Sequence, residues 1–512
     1  MGERSRWDRS FSDENDERKP GPNSGGICRR SLRWAYRGIV FGELDCLNSM
    51  NTNLMQWKQL LNPKRPDGTS QVASDHREQF ERDYDRTVFS TPVRRLQDKT
   101  QVFPLDPNDS VRTRLTHSLE VSTLARGLAR AVTTRLMKDG KIEGNMDRQI
   151  EAIAATCGLL HDLGNPPFGH AGEDAIRAWF ESHFAKDPAL KALSSDSQYT
   201  QDFLLFQGNA QTVRLITKLQ ILATVGGLNL TFGTLSAALK YVAASHQVEK
   251  GKRHSFSKLG FFASENDIIS RTREATGTNE MRNPITFLVE AADDLAYSVV
   301  DLEDGISKGI LGWKKLKSEL EDRMGKDDPV LKEVLKGTYR VLRMNVENDE
   351  KLPDKSYTRA FRTAVIGEAV KAVAERFVSE HDRILEGAYD YEIVYDSPVE
   401  KLIATCKTVA AEFVYRTQGN LKLELMGRNI IRDLLDFFWE GAKNYSGETR
   451  TRTFPEKIVA LLSDNYKEVF KAGREAQKHL PIEYLRLQLV TDYVCGMTDS
   501  FAVNLHRELR NG

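Results

Sequence analysis

A chain of 512 residues exceeds one ordinary domain core and points to a large domain or a domain with sizeable additions. Hydrophobic residues at 40% and charged residues at 29% are a soluble globular composition, and no run approaches the ~18 apolar residues of a membrane helix. Lys plus Arg and Asp plus Glu both number 73, so bulk basicity cannot recruit a polyanion and any anionic ligand needs a local basic cluster.

Residues 1 to about 49 mix charge blocks such as Asp13 to Lys19 with Pro20, Gly21 and Pro22, without periodicity. This predicts a disordered or non-native extension ahead of one domain at 50–512, with Met50 and Met55 as alternative starts. No apolar segment resembles a secretory core, and Cys28, Cys46, Cys157, Cys406 and Cys495 lack metal-type spacing. Reduced thiols in a cytoplasmic protein are the expectation.

Beyond residue 50 the text is mostly helical. Between Ser118 and Leu136, residues Leu119, Val121, Leu124, Leu128, Val132 and Leu136 predict an apolar stripe. Residues 148–163 form a second apolar-rich helix stopped by Gly164, Asn165, Pro166 and Pro167. Pro284 suits the first turn of a helix reaching about Gly305. Helical patterns also span 359–380, 398–417, 425–442 and 455–479, within a helical C-terminal part from about 310 to 512. The fold class expected is all-α with minor β elements.

The residues able to do chemistry start with His161 and Asp162 at a helix end. Taken alone, His161 could merely cap that helix while Asp162 faces solvent. His117, opening an amphipathic helix, and Asp293, amid apolar Ala291, Ala292 and Leu295, alter that balance, because uncompensated charge is expensive to bury. Two imidazoles and two carboxylates suit a hard or borderline divalent ion, and no cysteine accompanies them. Asp293, Tyr297 and Asp301 recur at i, i+4 and i+8 and share one helix face. A solvated acidic face is the competing reading, since Asp294, Glu303 and Asp304 are close in sequence.

His117, His161-Asp162 and Asp293 resemble the H…HD…D pattern of HD-domain phosphohydrolases. The segments Lys99–Leu105, Arg112–Glu120, His161–His170 with Glu173, and Glu290–Asp304 are similar more closely to the deoxyguanosine triphosphate triphosphohydrolase family. The likeness spans roughly residues 56 to 500 and implies the HD-domain helical fold. It implies that His117, His161, Asp162 and Asp293 bind a divalent metal, Mg²⁺ or Mn²⁺, and that His170 acts on the α-phosphate with Glu173 orienting it. Gln101 and Asp301 would bond the sugar 3′-hydroxyl, and Tyr297 would pack at C2′ and favour deoxy substrates. Arg114, Lys240, Tyr241 and Lys258 would meet phosphate, with Asn209 a further candidate. Val242 stands where the likeness leads one to expect Pro.

These roles are chemically coherent. Bound metal polarises a phosphoryl oxygen and lowers the pKa of water. Arg and Lys at a triphosphate stabilise accumulating charge, and a His beside a carboxylate can move protons near neutral pH. Hydrolysis of dGTP, or of dNTPs more broadly, to deoxynucleoside and triphosphate is the activity implied. A homo-oligomer, with a hexamer as one form, is the assembly implied by analogy. The alternatives are an HD phosphohydrolase acting on another nucleotide, or a nucleotide-sensing or single-stranded nucleic-acid-binding regulator. A single strand or a dNTP could also act as regulator of an active enzyme. For the last group, Arg94-Arg95 and the alternating Thr449–Thr453 stretch are the basic candidates, against an ordinary solvated surface. His246 is a minor site candidate, whereas His76, His183, His254, His381, His479 and His506 read as surface or locally bonded residues.

Overall fold

A computed structural model of the chain describes residues 54–69, 76–106, 108–187, 190, 193, 197–222, 225–249, 251, 253–343 and 352–511. The expected extension at 1–49, Met50, Cys28 and Cys46 lie outside these residues. Within them the chain is helical with minor β elements, as the periodicity predicts.

The helices that matter for the site are α1 (Arg114–Lys138), α2 (Met146–Leu160), α3 (Gly169–Lys186) and α4 (Gly208–Thr217). Two minimal sheets follow: β1 (Ile221–Leu222) pairs antiparallel with β2 (Val225–Gly226), and β3 (Ala243–Ala244) pairs in parallel with β4 (Leu259–Phe261). Then come α5 (Pro284–Ser307), α6 (Asp354–Leu385), α7 (Glu400–Ala410), α8 (Gln418–Ala442), α9 (Ile482–Cys495) and α10 (Asp499–Asn511). Pro284 does open α5, after an Asn283 side chain that accepts the Ile285 N–H.

Three expectations change. Leu119 is exposed rather than part of the α1 stripe, because two residues before Val121 is about 200° round the helix. The pattern at 455–479 divides into Phe454–Leu461 and Asp464–Ala476, since Leu462 and Ser463 adopt extended backbone and Ser463 starts the second helix. The pattern at 398–417 ends as α7 at Ala410 and continues as a wide turn, Ala411–Tyr415.

Apolar side chains gather in two clusters. One is built on α1, α2, α5, α6 and α7, the other on α3, α4, α8 and α9. α2 serves both: Cys157 packs in the first, Leu159 and Leu160 in the second. Its last turn therefore carries His161 to the seam between the two cores, fixed from both sides. Cys157, Cys406 and Cys495 are free and buried, as expected of reduced thiols. No helix among the described residues is long and apolar enough to cross a membrane.

Inside the second cluster Asp202 accepts the Tyr484 hydroxyl at 2.6 Å and the Ala263 N–H at 2.7 Å. Burial outweighs both bonds and pushes its carboxyl up to about 7. A carboxyl raised on folding contributes stability below its unfolded value, and that contribution is lost as pH rises through about 7. Asp202→Asn should therefore remove a decline of about 2–3 kcal/mol between pH 5 and 8, at about 1.4 kcal/mol per pH unit. Urea midpoints of the two proteins that move in parallel over this range would refute the assignment.

Candidate active site

α1 begins where the Thr116 hydroxyl accepts the Thr113 N–H at 3.0 Å, and its second turn buries His117 completely. Arg112, just ahead, grips Asp304 at 2.5 Å and Glu303 at 2.9 Å. These bonds clamp the start of α1 to α5, which carries Asp293. Glu303, Asp304 and Asp301 are buried, Glu290 meets Arg282 at 2.7 Å, and Asp294 meets Lys407 at 3.0 Å. The solvated-face reading of α5 is thereby excluded.

His117 Nε2 lies 3.1 Å from Asp293 Oδ1, and His161 Nε2 lies 3.5 Å from both Asp293 Oδ1 and Asp162 Oδ2. His161 Nδ1 faces the Gly158 carbonyl at 2.7 Å, so this nitrogen donates and Nε2 is aimed into the group. That Nε2 is buried with no hydrogen-bond partner. Burial opposes the charged imidazole, yet Asp162 and Asp293 raise it to about 9, and Asp293 is held well below the ordinary carboxylate range. Once that proton is displaced, this nitrogen, a second imidazole and two ionised carboxylates make a donor set that suits a divalent ion. His117, His161 and Asp293 have ligand atoms close enough to share one ion. Asp162 stands at the edge of the set, its Oδ2 at 2.6 Å from Arg114 and its Oδ1 at 2.5 Å from Asn165.

The loop from Leu163 to Phe168 is tightly determined. A side chain on Gly164 would overlap the Gly208 carbonyl and the Thr212 N–H, so α4 lies backbone to backbone against the loop. Phe168 is left-handed at φ 61°, a conformation that costs on the order of 1–3 kcal/mol in a bulky residue and persists only when its surroundings enforce it. Next in chain, the exposed His170 side chain stands 3.7 Å from Glu173. Glu173 is buried and accepts the Gly208 N–H at 2.6 Å. Asn209, half-buried, follows in the first turn of α4.

The other predicted residues sit around this centre. Lys240 Nζ is 3.6 Å from Glu290 and within the field of Asp293. The Lys258 ammonium is 5.6 Å from the Tyr241 ring centre. Burial depresses Lys258, while Glu173 favours its charge and Lys240 opposes it. Val242, in place of the expected Pro, donates its N–H to Ser255 at 2.9 Å, a bond proline could not make. Gln101 Oε1 is buried without a partner. Asp301 accepts the Tyr415 hydroxyl through Oδ2, leaves Oδ1 unpartnered, and is pushed up to about 7 by burial. Tyr297, half-buried, lies 5.2 Å by ring centre from Lys407 Nζ.

Some readings are revised. His246 is exposed, whereas His254, assigned a local role, bonds Glu290 at 3.1 Å beside Lys240. His254, Glu290 and Glu392 form a second group of ligand-type atoms. Arg282 and Lys240 already surround Glu290 with positive charge, which opposes a cation there. Arg95 bonds the Gly496 carbonyl at 2.9 Å and Arg450 pairs with Glu448 at 2.5 Å, so neither basic stretch presents all its charge to phosphate. Tyr415, Lys407 and Asp499 were missed, for no local motif announces residues that reach the site from α7 onward.

Comparison with known proteins gives the family. The HD domain family matches residues 114–194, and the phosphohydrolase-associated domain family matches 393–508. A deoxyguanosinetriphosphate triphosphohydrolase-like protein of Listeria innocua is 37% identical over 89% of this chain and 99% of its own length. A protein of the same name from Synechocystis is 34% identical, with the same shares covered. The deoxyguanosinetriphosphate triphosphohydrolase of Yersinia enterocolitica is 31% identical, again over 89% and 99%. With the donor set on α1, α2 and α5 inside an HD-type helical fold, the chain belongs to the deoxyguanosinetriphosphate triphosphohydrolase family, hydrolases acting on phosphoric ester or anhydride bonds.

Proposed function

We propose that this protein hydrolyses dGTP, or dNTPs more broadly, to deoxynucleoside and inorganic triphosphate, with Mg²⁺ or Mn²⁺ held by His117, His161, Asp162 and Asp293. The observation that carries the reading is the orphaned His161 Nε2 facing Asp162 and Asp293, with Arg114 paired to Asp162 and Lys240 in the field of Asp293. Names carried by the relatives support the substrate.

When bound, the divalent ion supplies Lewis acidity toward the α-phosphoryl group and a lowered pKa for water. In the hydrolysis a water oxygen joins the α-phosphorus, the bond from that phosphorus to the 5′ oxygen breaks, and the 5′ oxygen gains a proton. His170, exposed and backed by Glu173, is the residue free to deliver that proton. Arg114, fixed by Asp162, and Lys240 and Lys258 neutralise the triphosphate oxygens. Gln101 Oε1 and Asp301 Oδ1, both buried and unpartnered, are acceptors for a sugar hydroxyl, and Tyr297 stands between Asp293 and Asp301 on the same helix face.

The test is turnover of each of the four dNTPs and of GTP with Mg²⁺ and with Mn²⁺, resolving products by ion exchange, with His117→Ala as control. Deoxynucleoside and intact triphosphate in equal amounts, absent with the variant, are expected, with GTP turned over far more slowly. Orthophosphate or pyrophosphate as product would transfer the site to a different HD reaction. No turnover of any dNTP or of their mixture would favour a nucleotide sensor.

A further inference from the structure

We infer that Asp499, at the start of α10, is a positioning residue that holds the loop leading to His170 and the arm carrying Gln101 on one carboxylate. The inference rests on reading this site as the hydrolytic centre. Asp499 is buried, and its two oxygens do different work. Oδ1 accepts the Phe168 N–H at 3.0 Å; Oδ2 accepts the Thr100 N–H at 3.0 Å and also the Thr100 hydroxyl. Phe168 lies two residues before His170, and Thr100 directly precedes Gln101. One carboxylate thus sets the spacing between the predicted proton donor and a predicted sugar acceptor.

Two neighbouring features make this arrangement more than a surface tie. Phe168 is held in the left-handed region, so its N–H direction is an imposed one and needs a fixed acceptor. Its ring lies against Gly427 of α8, where an added Cβ would come within 2.6 Å of the ring. Directly before Thr100, the buried Lys99 ammonium donates to the Asn165 carbonyl at 2.6 Å and to the Cys495 carbonyl at 2.7 Å. Asn165 in turn donates to Asp162 at 2.5 Å. Lys99 thus ties the Gln101 arm to the loop and to the C-terminal segment, and Asp499 adds a second tie in which one carboxylate takes backbone N–H groups from both arm and loop. A bond of similar length from the same helix, Ser500 Oγ to Asp98 at 2.8 Å, touches neither loop nor arm and provides an internal control.

The experiment compares full-length wild type, Asp499→Asn and Ser500→Ala. Asparagine keeps the shape but turns an amide NH₂ toward one side, so either the Phe168 N–H or the Thr100 N–H loses its acceptor. In Asp499→Asn, kcat should fall about 10–100-fold with KM changed less than about threefold, the scale of losing an outer-shell partner. Amide hydrogen exchange, which needs no turnover, should quicken at least ~10-fold in peptides covering 99–102 or 163–170. Ser500→Ala should alter neither. Wild-type exchange in both segments of Asp499→Asn, a loss confined to KM, or an equal loss in Ser500→Ala would overturn the inference. Should Asp499→Asn fail to fold, Thr100→Val, which deletes one donor to Oδ2, must quicken exchange at 99–102 or the inference fails. If wild type turns over no dNTP, the function proposed above fails by itself, and the exchange measurements still decide the role of Asp499.

Discussion

Asp293→Ala is expected to remove tight divalent-cation binding and to lower turnover on the order of 10³-fold or more, the largest functional effect available in this molecule. Asp293 Oδ1 is the point shared by the two imidazoles, at 3.1 Å from His117 Nε2 and 3.5 Å from His161 Nε2. Asp162 alone cannot make up the loss, because its oxygens are shared with Arg114 and Asn165. Without Asp293, two imidazoles and one shared carboxylate remain, a poor set for Mg²⁺ or Mn²⁺. Titration with Mn²⁺, followed by its magnetic resonance signal, measures the loss directly. Glu290→Gln makes the contrast, since Glu290 is already met by Arg282 and Lys240. It should leave the number of Mn²⁺ ions bound unchanged. Stoichiometric Mn²⁺ in Asp293→Ala, or loss of the ion in Glu290→Gln, would move the metal to the second group, His254, Glu290 and Glu392.

How far the site could be read from sequence depends on whether its residues are neighbours in the chain. The run from His161 to Glu173 is one helix end, one constrained loop and one helix start, so its chemistry and its geometry appear together in the text. Asp293, Tyr297 and Asp301 were legible because a helix places i, i+4 and i+8 on one side. What faces them was not legible. Tyr415 reaches Asp301 from a wide turn, Lys407 reaches Asp294 from α7, and Asp499 reaches Phe168 from more than 300 residues away. Such long-range partners have no period and no fixed spacing. The partner of His254 was out of reach for the same reason, since Glu290 comes beside it only after α5 packs. The break at Leu462–Ser463 was hidden by apolar residues that keep a helical rhythm across it, although Ser463 before Asp464 and Asn465 is a start signal.

Arg214→Met should be the most destabilising single change near the site. Arg214, on α4, is almost fully buried and forks onto Asp492 of α9, with Nε 2.8 Å from Oδ1 and Nη2 2.7 Å from Oδ2. Its Nη1 reaches Glu265 at 3.0 Å and Ser264 at 3.1 Å. Asp492 and Glu265 are buried as well, so one guanidinium answers two carboxylates. Methionine fills much of the volume but leaves both carboxylates uncompensated, which costs about 3–5 kcal/mol. The thermal midpoint should fall by roughly 5–10 °C. Even with Arg214 present, burial keeps Glu265 above its ordinary range, and removing the guanidinium raises it further. Acids raised on folding stabilise at low pH and lose that contribution as pH rises, so the deficit of the variant should grow from pH 5 to pH 8. The double variant Arg214→Met, Asp492→Leu should recover about 1–3 kcal/mol, because it removes one of the stranded charges. A single variant within about 1 kcal/mol of wild type, or a double variant no better than the single, would show that water reaches this cluster. Turnover should fall together with stability, because α4 also supplies the Gly208 N–H that fixes Glu173 beneath His170.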